Sequence, residues 1–202
     1  MITLYHSPRT RSVRVLWLLE ELALPYELKV VPFTDEALKS PEHLTLNPFG
    51  KVPALTDGNL TMFESGAIVE YLVERYGQGR LAPPVGTAER GTFLQWVHFA
   101  EATLMPPLGA LAQHTLFLPE AERIPAVVAD CHAKLKGMLT ALEAALSGKT
   151  FILGSTFSAP DVMLGYSLLL TKWFGMLGEF PALQAYMARL EERPALQKTL
   201  AA

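Results

Sequence analysis

Apolar residues recur at every second position from Ile2 to His6, a period that predicts a β-strand. Ser7-Pro8-Arg9-Thr10 break the pattern, and Val15, Leu18, Leu19 and Leu22 then return at helical spacing. Alternation resumes at Tyr26, Leu28 and Val30 after Pro25, so the opening reads as strand, helix, strand, a βαβ unit with parallel strands. A short helical or irregular stretch runs on to about Leu46. Two short apolar runs, Val52 to Thr56 and Leu60 to Phe63, flank Asp57-Gly58-Asn59, whose residues tolerate positive φ, and together predict an antiparallel hairpin. Ile68, Val69, Leu72, Val73 and Tyr76 form one helical face, with Ser65 placed to cap it.

The order of elements to residue 78 is thus βαβαββα. GQGRLAPPVGT, residues 77–87, has the composition of a linker, and beyond it no strand pattern appears. Helical patterns cover about Ala88 to Leu111, broken at Pro106-Pro107, then Ala121 to Leu146, Pro160 to Phe174 and Pro181 to Glu192. The predicted fold class is α+β in two domains: residues 1–78, a linker at 79–86, and an all-α helical bundle over 87–202.

Composition narrows the function. Half of the 202 residues are apolar, enough for a sizeable core, and 17 Lys plus Arg against 20 Asp plus Glu leave a net charge of −3 without a basic tract. Nucleic acid is not an expected partner, and neither is a membrane, because no apolar run reaches spanning length. The opening residues do not form a secretory signal, which makes the cytoplasm the expected location. A single cysteine, Cys131, and five scattered histidines give no expected disulfide, Cys-x-x-Cys or metal site.

Three segments carry candidate chemistry. In NPFGKVPAL, residues 47–55, Pro53 sits where a strand begins and removes a ladder donor. A cis Val52–Pro53 bond would turn the N–H and C=O of Val52 toward an extended peptide; taken alone, the segment is also an ordinary edge-strand turn. Glu64-Ser65 stands at a helix start, where free N–H groups favour a carboxylate, although Ser65 as a simple cap explains it as well. The loop from Ser7 to Ser12 offers three hydroxyls and two arginines at the start of a helix, surroundings that lower a thiol pKa. The plainer reading makes Thr10 or Ser12 a helix cap.

LYHSPRTRSVRVLWLLEEL, NPFGKVPAL, FESGAIVEYL and FSAPDVMLGYSLLL, in this order, resemble a bacterial cytosolic glutathione transferase of the serine/threonine type, theta- or beta-like, over nearly the whole chain. The resemblance implies a thioredoxin-like N-terminal domain, a cis-proline at Pro53, and pairing of Val52 with the cysteinyl backbone of glutathione. It also implies that Glu64 and Ser65 bind the γ-glutamyl group and Lys51 the glycyl carboxylate. Counted back from Arg14-Val15-Leu16, the activating serine of such enzymes falls at Thr10, with Ser12 and Ser7 as alternatives. Arg9 occupies the position of the cysteine in cysteine-type members, and Ser7-Pro8-Arg9 replaces the Ser-Ser-Cys of the isomerase class.

The activity so implied is conjugation of glutathione, a co-substrate, to hydrophobic electrophiles by a homodimer without a further cofactor. The alternatives are a glutathione-dependent disulfide or peroxide reductase, and a non-catalytic ligand-binding protein. Ser158-Ala159-Pro160-Asp161 has the form of a capping box and resembles the family's folding motif. His98 and Glu101 share a helical face and are read as solvated; Cys131, on a face with Val127, Val128 and Leu135, is read as buried. Met105, Pro106 and Pro107 are expected to kink a helix near the electrophile pocket.

Overall fold

A computed structural model describes every residue from Met1 to Ala202. The chain divides into two compact units, one of Met1–Ala82 with Glu191–Ala202 and the other of Pro83–Leu190.

The first unit is built on a sheet in the order β2-β1-β3-β4, from β1 (Ile2–His6), β2 (Tyr26–Val30), β3 (Ala54–Asp57) and β4 (Leu60–Phe63). β1 pairs parallel with β2, joined by helix α1 (Ser12–Leu22), and antiparallel with β3. The hairpin β3–β4 turns at Gly58, where φ is +60°, a value that costs glycine nothing. Short helices α2 (Asp35–Leu38) and α3 (Pro41–Leu46) lead to β3, and α4 (Ser65–Tyr76) follows β4. Leu4, Leu55, Val15, Leu19, Ile68 and Leu72 are fully buried in the core that α1 and α4 share with the sheet. This unit has the thioredoxin-like architecture that the family resemblance implies, with the strands in the order that the sequence pattern predicts.

Asp57 ties the hairpin to α4. Its carboxylate accepts from the hydroxyls of Tyr71 (2.7 Å) and Tyr76, with Arg75 Nε 3.6 Å away. The Tyr76 hydrogen bond, foremost, holds the carboxyl below its usual range, while burial pushes the Tyr71 phenol up to about 12.

The segment Glu191–Ala202 was expected to continue the helical half; it groups instead with the first unit. Its helix α10 (Pro194–Leu200) packs on α1, and Arg193 forks onto Glu21, Nε to Oε1 and Nη2 to Oε2 both at 2.6 Å. The planar guanidinium matches both carboxylate oxygens, which fixes direction as well as distance. Pro194 and Leu200 lie past the last helical pattern read from the sequence, so α10 was missed there.

The second unit is helical: α5 (Ala88–His98), α6 (Met105–Ala112), α7 (Pro125–Leu146), α8 (Ala159–Trp173) and α9 (Pro181–Glu191). Between α5 and α6 the backbone widens into a π-helical turn, Phe99–Thr103, closed by Leu104 N–H on Phe99 O at 3.1 Å. Pro106 and Pro107 have no N–H for the carbonyls one turn back, so the expected break starts earlier than the prolines themselves. α7 begins at Pro125, later than Ala121, after a single 3₁₀ turn.

The capping box before α8 forms. Asp161 Oδ2 accepts from Ser158 N–H at 2.8 Å and Ser158 Oγ at 2.9 Å, and Oδ1 accepts from Ile152 N–H at 2.9 Å and the Tyr186 hydroxyl at 2.6 Å. Burial nonetheless raises the Asp161 carboxyl, with these bonds pulling the other way. No helix is long and apolar enough to cross a membrane.

Candidate active site

One row of residues across the sheet locates the candidate groups. Tyr5 pairs with Ala54, and Ala54 with Phe63. Beyond Tyr5 β1 ends at His6 and the chain enters the Ser7–Ser12 loop, before Ala54 lie Val52 and Pro53, and after Phe63 come Glu64 and Ser65. All three candidate segments therefore emerge at one end of the sheet, where α1 and α4 begin.

The Val52–Pro53 bond is cis. The ladders of β3 start at Ala54, which leaves the backbone of Val52 outside the paired stretch. The approach to it is fixed by the Lys51 carbonyl, which accepts from Asn47 Nδ2 at 2.8 Å and His43 Nε2 at 3.0 Å. Gly50 turns the loop at φ +59°, and a Cβ there would come within 2.9 Å of the Leu38 carbonyl oxygen. The Lys51 side chain is exposed, and Val52 and Pro53 are buried.

Glu64 is exposed and occupies the N-cap position of α4 with φ +71°, a region that residues other than glycine rarely enter. The sequence placed the cap at Ser65; the structure starts the helix there, and the Ser65 hydroxyl caps nothing. It accepts instead from Arg14 Nη1 at 3.0 Å. Arg14 is fully buried on the otherwise apolar face of α1. A hydroxyl that accepts from a guanidinium keeps its own proton to give, and the positive charge strengthens that donation. With the free N–H groups and positive end of α4, the corner at Glu64-Ser65 is prepared for a carboxylate.

The Ser7–Ser12 loop separates its three hydroxyls. Ser7 and Ser12 have no solvent exposure, whereas Thr10 is partly exposed. Ser7 Oγ donates to Val31 O at 2.6 Å, which commits it to holding the loop against the end of β2. Ser12 Oγ lies 2.7 Å from Thr10 Oγ1 and 2.8 Å from His6 Nδ1, and accepts from Ser7 N–H at 3.1 Å. Ser12 thus faces Thr10 rather than the surface. Arg11 is the N-cap residue of α1 and has no side-chain capping bond; the expected role of Thr10 or Ser12 there reduces to Ser12 N–H on Thr10 Oγ1 at 3.3 Å. Arg9 is exposed with φ +63°.

His6 and Arg14 were missed from sequence. His6 reads as one more strand residue, and only the long-range partner of Arg14 reveals its place; a charged residue between Val13 and Val15 was the one available signal.

In the second unit, a cleft of about 470 Å³ opens between Thr103, Pro106 and Ala110 on one side and Val127, Cys131 and Lys134 on the other. The Cys131 thiol is buried and its pKa is raised by that burial.

The fold and this sheet end define a class: a two-unit chain whose thioredoxin-like unit brings a cis-proline edge, a helix start and a hydroxyl loop together at one end of its sheet. Residues 1–74 match the glutathione S-transferase N-terminal domain and residues 125–189 the C-terminal domain of the same family. Glutathione S-transferase 4 of Zea mays is 34% identical over 191 residues, 92% of this chain and 85% of that protein. A glutathione transferase of Phanerochaete chrysosporium, solved in complex with oxidized glutathione, superposes with a TM-score of 0.90 at 31% identity, covering 99% of this chain and 94% of that one. One from Burkholderia graminis, with two glutathione molecules bound per subunit, superposes at 0.91 with 32% identity over 100% of this chain and 88% of that one. The chain belongs to the glutathione S-transferase family.

Proposed function

We propose that this protein conjugates the thiolate of glutathione to hydrophobic electrophiles, as a transferase of the serine/threonine type in which Thr10 meets the sulfur. The observation that carries this reading is the partial exposure of Thr10 beside two wholly buried serines, at the helix start that the sheet aligns with Val52 and Ser65. The extended tripeptide pairs its cysteinyl backbone with Val52. Its γ-glutamyl group takes Glu64 and Ser65, and its glycyl carboxylate takes Lys51.

A hydrogen bond from Thr10 favours the charged sulfur over the thiol, so the proton leaves to solvent near neutral pH. The sulfur lone pair then forms the S–C bond as the leaving group departs with the electrons of the bond it breaks. Glutathione serves as co-substrate without a resident cofactor, and the active form is a cytoplasmic homodimer.

An ultraviolet difference titration with glutathione tests this directly. The bound thiol is expected to ionise well below free glutathione, Thr10→Ala to move it back, and Thr10→Ser to hold it. Binding without a thiolate signal assigns the chain to non-catalytic ligand binding.

A second reading, reduction of disulfides or peroxides by two glutathiones, is favoured by the glutathione content of the two structural relatives and by Arg9. With arginine at the cysteine-type position, both thiols come from glutathione: the first attacks a substrate disulfide and expels one thiolate, and the second attacks the resulting glutathione–substrate disulfide, expelling the other thiolate and forming oxidised glutathione. Parallel assays with an aromatic halide and with a disulfide substrate separate the two readings.

A further inference from the structure

We propose that His6 is a positioning residue for the thiol: its Nδ1–H, given to Ser12, sets a one-way chain of hydrogen bonds from His6 through Ser12 to Thr10 that leaves the Thr10 proton for the sulfur. The inference rests on the reading of Thr10 as the group that meets the thiolate.

The direction follows from counting protons. A hydroxyl has one proton to give and two lone pairs with which to accept. Ser12 Oγ already accepts from Ser7 N–H at 3.1 Å, and His6 Nδ1–H at 2.8 Å fills its second site. Ser12 is then purely a donor, to Thr10 Oγ1 at 2.7 Å or Ser7 O at 3.1 Å, and the nearer acceptor is Thr10. Thr10 Oγ1 also takes Ser12 N–H at 3.3 Å, so both of its acceptor sites are occupied. Only its own proton is left. In the absence of ligand that proton goes to Ser7 O at 2.7 Å. A thiolate beside the exposed side of Thr10 outcompetes a neutral carbonyl, because a charged acceptor makes a bond roughly twice as strong.

The other tautomer reverses the chain. With the proton on Nε2, Nδ1 draws the Ser12 proton to itself and opens an acceptor site on Ser12. The Thr10 proton is then pulled inward to Ser12, away from the ligand.

Burial selects between the two. His6 is 1% exposed and its Nε2 has no partner. A proton on Nε2 would be a buried donor with nothing to bond, whereas a bare lone pair there is the more tolerable defect. Burial also lowers the His6 pKa, so the ring is neutral and carries a single proton whose position matters.

Nitrogen NMR of the full chain reads the tautomer, and the difference titration with glutathione reads its consequence. The expected result is Nδ1–H on His6 in the spectrum. His6→Leu is expected to cut the bound thiolate fraction at neutral pH about tenfold, the worth of one hydrogen bond to a charged acceptor, with little change in the KM for glutathione. His6→Asn, whose amide N–H replaces Nδ1–H, is expected to restore most of the thiolate. An Nε2–H tautomer overturns the proposal, and the spectrum alone decides if His6→Leu does not fold. Equal loss in His6→Leu and His6→Asn assigns His6 to packing only and overturns it too. If Thr10→Ala shifts the titration and His6→Leu does not, the relay fails while Thr10 stands; if neither shifts it, the assignment of Thr10 fails first.

Discussion

The Arg14 guanidinium, buried in the first helix, donates Nη1–H to the Ser65 hydroxyl 3.0 Å away and so joins the start of α1 to the start of α4. In the proposed reading Ser65 is thereby primed as a donor toward a carboxylate; Ser65→Ala removes that donor together with the acceptor of Arg14 Nη1–H, and leaves the backbone N–H groups of α4 in place. A hydrogen bond to a charged group is worth about 1.5–3 kcal/mol, so the KM for glutathione is expected to rise roughly tenfold or more with kcat little changed. Steady-state kinetics with glutathione varied check this, and a fall in kcat at constant KM would remove Ser65 from the binding corner.

Gly50 is tested by Gly50→Ala. The positive φ costs an alanine about 1–2 kcal/mol, and the new Cβ, 2.9 Å from the Leu38 carbonyl, forces the loop before Lys51 to shift. Stability is expected to fall by at least that amount and glutathione affinity with it, measured by denaturant unfolding and by calorimetric titration. Gly58→Ala, which has the same sign of φ but open space around it, is expected to lose stability without losing affinity.

Much of the first unit is legible in the sequence itself. The alternation of Ile2–His6 and Tyr26–Val30, the helical spacing after Thr10, and the turn at Asp57-Gly58-Asn59 are local signals, and the strands and hairpin appear where they point. What local pattern cannot carry is the identity of distant partners. His6 looks like any strand residue until Ser12, six positions on, returns to it around the loop, and Ser65 looks like a helix cap until Arg14 claims its oxygen. The π-helical turn at Phe99–Thr103 lay hidden for a related reason, since two prolines announce a break but not which side of them absorbs it.

Asp161 holds four donors in a fully buried position, so Asp161→Asn leaves part of that set unmatched without changing the side-chain volume. A cost of about 3 kcal/mol is expected, from one or two buried donors deprived of an acceptor. Thermal unfolding should show it as a lowered midpoint, with glutathione binding retained by the folded fraction.

Asp57 predicts an acid limit to stability. Its carboxyl titrates below the ordinary range because Tyr76, Tyr71 and Arg75 favour the charged form. The stabilisation is therefore complete above the unfolded aspartate pKa of about 3.9 and is lost as pH falls through the lower folded value. Asp57→Asn is expected to be less stable than the parent at neutral pH and to converge with it in strong acid. A constant gap between the two unfolding curves across that range would show that the carboxyl does not titrate as described.

The return of Glu191–Ala202 to the first unit has a consequence for how the protein is made. Translation delivers the sheet and its two helices early, but the helix that covers α1, and the arginine that grips Glu21, leave the ribosome only after the whole of the second unit has been synthesised. Domains ordinarily fold in the order in which they emerge. Here the first unit has to wait with one flank of α1 uncovered while 108 residues of the second, Pro83–Leu190, are added. Ribosomes stalled before residue 191 should therefore carry a first unit that is partly formed and protease-sensitive near α1, and residues 191–202 complete the part of the protein that was begun first.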